Sequence, residues 1–93
     1  MKNESDLKGL RAEIDKVDHA IIRELTKRKK LEQAIGAYKR AHGMKLLDAK
    51  RRHLVLRSRA VAGKTKGLQP ELVRKLFALI HTYSLSTQKN TKL

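Results

Sequence analysis

The first part of the chain carries apolar residues at steps of three and four, which is the spacing of one face of an α-helix. This stripe consists of Leu7, Leu10, Ile14, Val17, Ile21, Leu25, Arg28, Leu31 and Ile35. Ser5 or Asp6 can cap its start, and Gly43 is of the residue type that commonly closes a helix. The pattern therefore predicts helix one over about residues 6–42.

A second, shorter stripe follows Asp48, an acid that suits the cap or the first turn of a helix. Glycines at positions 63 and 67 are expected to stop this helix, because glycine is common just past helix ends. The pattern predicts helix two over about residues 48–62. Its stripe consists of Leu47, Arg51, Leu54, Val55, Ser58, Val61 and Ala62.

The third helix is predicted over about residues 70–88, because Pro70 suits a first helical turn. One face carries Val73, Leu76, Phe77, Ile80, Ser84 and Gln88. Residues 89–93 are predicted to be a polar tail. The chain shows no repeat and no boundary, so we expect residues 1–93 to form a single all-α domain of three helices.

Helix one is too long for its own chain to cover. About 36 residues span roughly 54 Å, whereas a compact chain of this length has a radius of gyration of only about 12 Å. Its stripe must continue onto another surface, most simply the same helix of a second copy. We therefore expect an intertwined homodimer.

The composition narrows the function classes. A formal charge of +14 and a pI near 10.6 favour an anionic partner, but three scattered aromatic residues do not make the stacking platform of a single-strand nucleic-acid binder. Cysteine is absent and the four histidines lack ligand spacing, so neither a disulfide nor a metal site is expected. No segment resembles a signal peptide or a membrane span, and we expect a cytoplasmic protein.

Each predicted helix interrupts its apolar stripe with polar groups that are costly to bury without a partner. These groups are Arg28, Arg51, Ser84 and Gln88. Lys39 follows Arg28 by three turns and only about 20° around the helix, so both side chains can reach one pocket. If two long helices pack antiparallel, the partner's Arg11 can arrive there as well.

Four cations beside a neutral serine and glutamine suit a small dianion such as a dicarboxylate, because arginine forks match carboxylates. The sequence shows no nucleophile with a general base and no phosphate-binding glycine loop. An enzyme with this site would therefore work by positioning and electrostatics rather than by covalent chemistry.

Each of these polar residues also has a purely structural interpretation. Arg28 can form an ion pair with Glu24 or Glu32, and Arg51 can pair with Asp48 at i, i+3. Arg11 and Lys39 can lie on a solvated face. Ser84 and Gln88 can be polar residues of a fraying helix end. Only their joint occurrence favours a site.

The same constellation resembles the all-helical chorismate mutases, the AroQ class, over nearly the whole chain. The matching stretches are "LRAEIDKVDHAIIRELTKRKKLEQAIGAYK", "LLDAKRRHLVL" and "VRKLFALIHTYSLSTQ". The family pattern has five elements. Helix one carries an early arginine after leucine, a mid-helix arginine and the lysine that ends "IGxxK". Helix two carries an Asp-x-x-Arg, and a Ser-x-x-x-Gln lies near the C-terminus. All five elements are present.

The resemblance implies an enzyme of aromatic amino-acid biosynthesis that rearranges chorismate to prephenate. It implies a dimer with two equivalent sites and no cofactor. Arg28 and the partner's Arg11 would hold the two carboxylates of chorismate with help from Ser84, while Arg51 would support the charge network. These assignments follow from the family pattern.

The resemblance also implies that Lys39 and Gln88 donate hydrogen bonds to the ether oxygen as its bond to the ring breaks. Negative charge develops on that oxygen in the transition state. Donors fixed at this point stabilise the transition state more than the bound substrate, which is what catalysis requires.

One position departs from the family pattern. The residue after the helix-two arginine is usually a glutamate that accepts a hydrogen bond from the ring hydroxyl, but here it is Arg52. Related isochorismate pyruvate lyases also lack that acid, so lyase activity is an alternative, although Asp48 and Gln88 follow the mutase pattern. A basic helical module that binds nucleic acid or an acidic protein is the third possibility.

Overall fold

A computed structural model describes residues 4–90 of the chain. Three helices follow one another, α1 (Glu4–Ala41), α2 (Ala49–Thr65) and α3 (Pro70–Asn90). No strand occurs between residues 4 and 90. The predicted all-α class is therefore confirmed.

Helix α1 contains 38 residues and ends in a glycine-closed turn. Gly43 has a φ of 63°, and two backbone bonds close the turn, Met44 N–H to Lys39 O at 2.8 Å and Gly43 N–H to Arg40 O at 3.3 Å. This is the Schellman pattern, and it agrees with the role predicted for Gly43. The helix begins at Glu4, so Ser5 and Asp6 lie in its first turn rather than at its cap.

Helix α2 starts where the sequence predicts but ends later. Asp48 is its N-cap and accepts a hydrogen bond from the backbone N–H of Arg51 at 3.0 Å. Gly63 does not stop the helix, so that prediction was wrong. The Schellman turn forms at Gly67, whose φ is 84°, and Leu68 N–H donates to Gly63 O at 2.9 Å.

Gly63 has a packing role instead of a terminating one. It is buried in α2, and a Cβ at this position would lie 2.5 Å from Cγ2 of Val73 on α3. The missing side chain therefore lets the two helices approach closely.

Helix α3 begins at Pro70 as predicted, and Val73 N–H donates to Gln69 O at 3.2 Å in its first turn. The helix continues to Asn90, so two residues of the predicted tail are helical. The rest of that tail, residues 91–93, lies outside the described residues.

The chain divides into an N-terminal unit, Met1–Leu31, and a C-terminal unit, Glu32–Leu93. The described part of the N-terminal unit is a single helix, and six large apolar side chains of its stripe are 43–64% exposed, whereas Leu7 is half-buried. The six exposed residues are Leu10, Ile14, Val17, Ile21, Leu25 and Leu31.

In the C-terminal unit, α2 packs against α3 around Val55, Ala60 and Val73. Most of the predicted stripe of α2 does not face α3, because Leu54 and Val61 are both 61% exposed. The side that α3 covers includes Val55, Ala60 and Gly63. The predicted face of α3 fits better: Val73, Ser84 and Gln88 are buried, Phe77 and Ile80 are half-buried, and Leu76 is exposed.

Candidate active site

Two of the predicted site residues meet in the C-terminal unit. Lys39, near the end of α1, donates from Nζ to Oε1 of Gln88 on α3 at 2.9 Å. The same Nζ donates to the backbone carbonyl of Leu46 at 2.7 Å, in the connection between α1 and α2. Lys39 therefore binds both the amide of Gln88 and the connection between α1 and α2.

The other end of the Gln88 amide contacts a carboxylate. Gln88 Nε2 donates to Oε2 of Glu32. The three side chains thus form a polar chain that runs from Glu32 through Gln88 to Lys39. A lysine ammonium only donates and a carboxylate only accepts, so the two neighbours together determine which end of the amide carries oxygen. Gln88 is 7% exposed and Glu32 is 9% exposed.

The close approach of α3 to α1 depends on Gly36. This glycine lies one turn after Glu32 and about one turn before Lys39 on the same side of α1. A Cβ on Gly36 would lie 2.8 Å from both Cα and O of Gln88. Only glycine allows the α3 backbone so near, and this places the Gln88 amide between the two charged side chains.

Arg40 holds the end of α3. Its Nη2 donates to the backbone carbonyl of Gln88 at 3.3 Å and also to the carbonyl of Lys89. The last carbonyls of a helix have no partner within the helix and carry its negative dipole end, so a guanidinium there is favourable. This contact fixes the Gln88 backbone, just as Lys39 and Glu32 fix its side chain.

Ser84 and Gln88 are not part of a fraying helix end. Both lie inside α3, and Ser84 is 6% exposed. They are one turn apart on the same face, as the sequence predicted. The fraying interpretation was therefore wrong for both residues.

The predicted residues of α2 lie at its start. Asp48 acts as the N-cap, and its contact to Arg51 goes to the backbone N–H rather than to the guanidinium. The side chain of Arg51 is exposed and that of Arg52 is half-buried. A substrate-binding role for these three residues stays a prediction.

The remaining two predicted cations lie in the N-terminal unit. Arg11 is exposed and Arg28 is half-buried. Glu24, one of the two alternative partners considered for Arg28, forms an exposed ion pair with Lys27 at 3.4 Å. That Arg28 and the partner's Arg11 join Lys39 in one pocket stays a prediction.

Sequence reasoning missed three residues that shape this network: Glu32, Gly36 and Arg40. Glu32 was considered only as a partner of Arg28, although it precedes Lys39 by two turns on the same face. Gly36 had a usable signal, because an interior helical glycine costs about 1 kcal/mol and therefore suggests a packing reason. Arg40 had no distinguishing signal among so many basic residues.

A shallow groove of about 550 Å³ lies between α2 and α3 at the opposite end of α3. It contains none of the predicted site residues and is lined by His53, Leu56, Arg57, Ala60, Val61, Lys64, Pro70 and Arg74. Its charged side chains are exposed, in contrast to the buried Glu32 and Gln88 of the network described above.

Residues 4–90 offer neither a metal cluster nor a membrane span. This part of the chain contains no cluster of three or more histidine, aspartate or glutamate side chains that could hold a metal ion. None of its three helices has the apolar length needed to cross a membrane.

The three helices and the partly buried lysine–glutamine pair define a small all-helical domain. A family model described as chorismate mutase type II matches residues 10–89. The chain belongs to this family, which confirms the family predicted from the sequence.

A curated relative gives the same assignment. The chain is 34% identical over 89 residues to the bifunctional chorismate mutase/prephenate dehydratase of Buchnera aphidicola subsp. Schizaphis graminum (strain Sg). This match covers 96% of the chain and 23% of the relative. The chain thus spans about a quarter of the length of that bifunctional protein.

Proposed function

We propose that this protein catalyses the rearrangement of chorismate to prephenate, as membership of the chorismate mutase type II family indicates. The observation that carries the proposal is the partly buried contact between Lys39 and Gln88, which brings two hydrogen-bond donors together from different helices. A pericyclic reaction needs no nucleophile, so positioned donors of this kind are sufficient for electrostatic catalysis.

Hydrogen counting supports donation by both groups to a bound ligand. The ammonium of Lys39 carries three hydrogens, and its contacts with Gln88 and Leu46 use two of them. The Gln88 amide nitrogen carries two hydrogens, and its contact with Glu32 uses one. In this arrangement each nitrogen keeps one hydrogen for the ether oxygen, where charge develops in the transition state.

The carboxylates of chorismate require cations outside this pair. We assign them to Arg28 and the partner's Arg11, with Ser84 assisting and Arg51 supporting the charge balance. Arginine is suited to this role because its planar fork matches a carboxylate. Asp48 and Arg52 would lie near the ring hydroxyl.

A homodimer completes this site. The apolar stripe of the N-terminal unit supports the proposal, since six large apolar side chains repeat along one helix face and stay exposed in a single chain. An extended apolar surface of this kind is typical of an interface. A second copy of the same helix is a matching cover, because the stripe would be self-complementary across a twofold axis.

Incubation of the purified protein with chorismate tests the function. Chorismate absorbance should fall, and the product should be prephenate. The same protein with isochorismate should release no pyruvate. Pyruvate release in place of prephenate formation would establish the lyase alternative, and binding to nucleic acid with a steep salt dependence but no turnover would establish the binding-module alternative.

Mixed dimers test the shared site. Arg11→Ala and Arg28→Ala should each abolish most activity as homodimers, because each removes a carboxylate ligand from both sites. In a heterodimer of the two variants, one site receives both substitutions and the other receives neither. Activity should return to about half that of the wild type per heterodimer. Failure of the mixture to recover activity would contradict a site built from two copies.

A further inference from the structure

We propose that Glu32 is a positioning residue for the reaction, and that its carboxylate orients the amide of Gln88 so that one N–H faces the reacting ether oxygen. This inference rests on the proposed function. Glu32 lies within the first matching stretch but is not one of the five elements of the family pattern. It was found from its contact with Gln88.

The exposure of Glu32 distinguishes it from other glutamates of the chain. The side chains of Glu13, Glu24 and Glu71 are 67–71% exposed and form surface ion pairs. Glu32 is 9% exposed. Removing a carboxylate from water is costly unless hydrogen bonds replace the lost hydration, and the Gln88 amide supplies one such bond.

Two anchors orient the amide more narrowly than one. The terminal torsion of glutamine is broad, so contact with Lys39 through Oε1 leaves the direction of the amide plane loosely defined. Glu32 binds the nitrogen end and fixes that plane. A flipped amide would set Nε2 against the ammonium and Oε1 against the carboxylate, which are both repulsive contacts.

The same geometry also orients the second hydrogen of the Gln88 amide. With one amide hydrogen bonded to Glu32, the other points away from the carboxylate at the fixed angle of a planar amide. A donor that already points at the developing charge needs no reorganisation during the reaction, which is the condition for strong electrostatic catalysis. Glu32 itself does not contact the substrate in this proposal.

Steady-state kinetics of two variants test this role. Glu32→Ala removes the acceptor, and we expect kcat to fall about 10- to 100-fold while KM changes less than about threefold. Glu32→Gln keeps an acceptor oxygen at the same distance from the backbone, and kcat should return to within about threefold of the wild type. Glu24→Ala, an exposed glutamate on the same helix, is the matched control and should leave both constants unchanged.

An NMR measurement tests the same contact without turnover. The side-chain NH₂ signals of Gln88 can be assigned by their loss in Gln88→Ala. In wild-type protein they should differ from those of the exposed Gln33 and Gln69, and one proton should be shifted by the carboxylate. In Glu32→Ala this difference should shrink.

The outcomes separate the two proposals. Wild-type protein that does not convert chorismate overturns the proposed function, and with it the catalytic role of Glu32. Active wild-type protein with an unchanged kcat in folded Glu32→Ala overturns the positioning role alone. A rise of kcat in Glu32→Gln also overturns it, because the carboxylate would then oppose the reaction through its charge. Unchanged Gln88 signals in Glu32→Ala overturn the contact itself.

Discussion

The N-terminal and C-terminal units of this chain differ in the polar groups that they bury. The N-terminal unit exposes an apolar stripe, with Leu31 64% and Ile14 59% exposed. The C-terminal unit buries polar groups, with Ser84 and Gln88 almost fully covered. An extended apolar surface without cover is typical of an interface, whereas a satisfied network of buried polar residues holds a fixed geometry. We therefore propose that the N-terminal unit supplies most of the dimer interface, whereas the C-terminal unit holds the two hydrogen-bond donors proposed for the reaction.

The largest expected effect comes from a charge in the stripe. Ile21→Asp would bury two unpaired carboxylates in the proposed dimer, one from each copy, at a cost of about 3 to 5 kcal/mol or more. Dimer affinity should fall at least about 100-fold, and activity should fall with it. Sedimentation equilibrium at micromolar concentration and the chorismate assay measure both quantities.

Ala12→Asp is the matched control for this substitution. It makes the same charge change nine residues earlier, which is half a rotation around the helix and therefore on the opposite face. This variant should stay dimeric and active. A dimeric Ile21→Asp protein would contradict the assignment of the stripe to the interface.

The next effect concerns the buried network. Gln88→Ala should lower kcat about 100- to 1,000-fold, because removal of one preorganised donor typically costs about 2.7 to 4 kcal/mol. Substrate binding should weaken less, which separate kcat and KM values will measure. Gln33→Ala, an exposed glutamine of α1, should change neither constant. Normal turnover by the Gln88 variant would remove this residue from the mechanism.

A smaller gain is expected at position 52. If the ring hydroxyl lacks a charged acceptor, Arg52→Glu should raise kcat/KM by about 10- to 150-fold, since such hydrogen bonds contribute about 1.5 to 3 kcal/mol. Arg57→Glu makes the same charge change on the same helix and should have no such effect. An unchanged or lower kcat/KM in Arg52→Glu would mean that Arg52 itself contributes to binding.

The smallest expected effects come from two helical glycines with opposite surroundings. Gly36→Ala should lower the free energy of unfolding by about 1 to 2 kcal/mol, because its Cβ collides with the Gln88 backbone. Gly9→Ala should raise it by about 0.5 to 1 kcal/mol, because nothing lies within 4 Å and alanine favours the helix. Urea unfolding at equal protein concentration measures both changes. Stabilisation by both variants would show that α3 moves enough to accommodate a Cβ at position 36 of α1.

The sequence was sufficient for features that depend on local chemistry. Periodicity placed all three helices, Asp48 was predicted as a possible cap, and Gly43 was predicted as a helix end. Each of these outcomes depends on residues within about one turn. The family was also accessible, because its motif residues are spread over the whole chain.

Features that depend on neighbours in space were not accessible. Gly43 and Gly63 are the same residue type, yet one closes a helix and the other admits Val73 of α3. The buried side of α2 was missed for a similar reason, because both sides of that helix carry apolar residues. The contact of Glu32 with Gln88 was not predicted, because nothing in the Glu32 helix indicates that the Gln88 amide lies against it.

The two acceptors of Lys39 have a consequence for conformational entropy. A lysine side chain carries up to about 2 kcal/mol of rotamer freedom, and immobilising it normally opposes ligand binding. Here Nζ is already bound by Gln88 and by the Leu46 carbonyl. The loss of freedom therefore accompanies folding, and a substrate meets an ammonium that is already ordered. Chorismate binding should then show a smaller unfavourable entropy at Lys39 than a solvated lysine would impose.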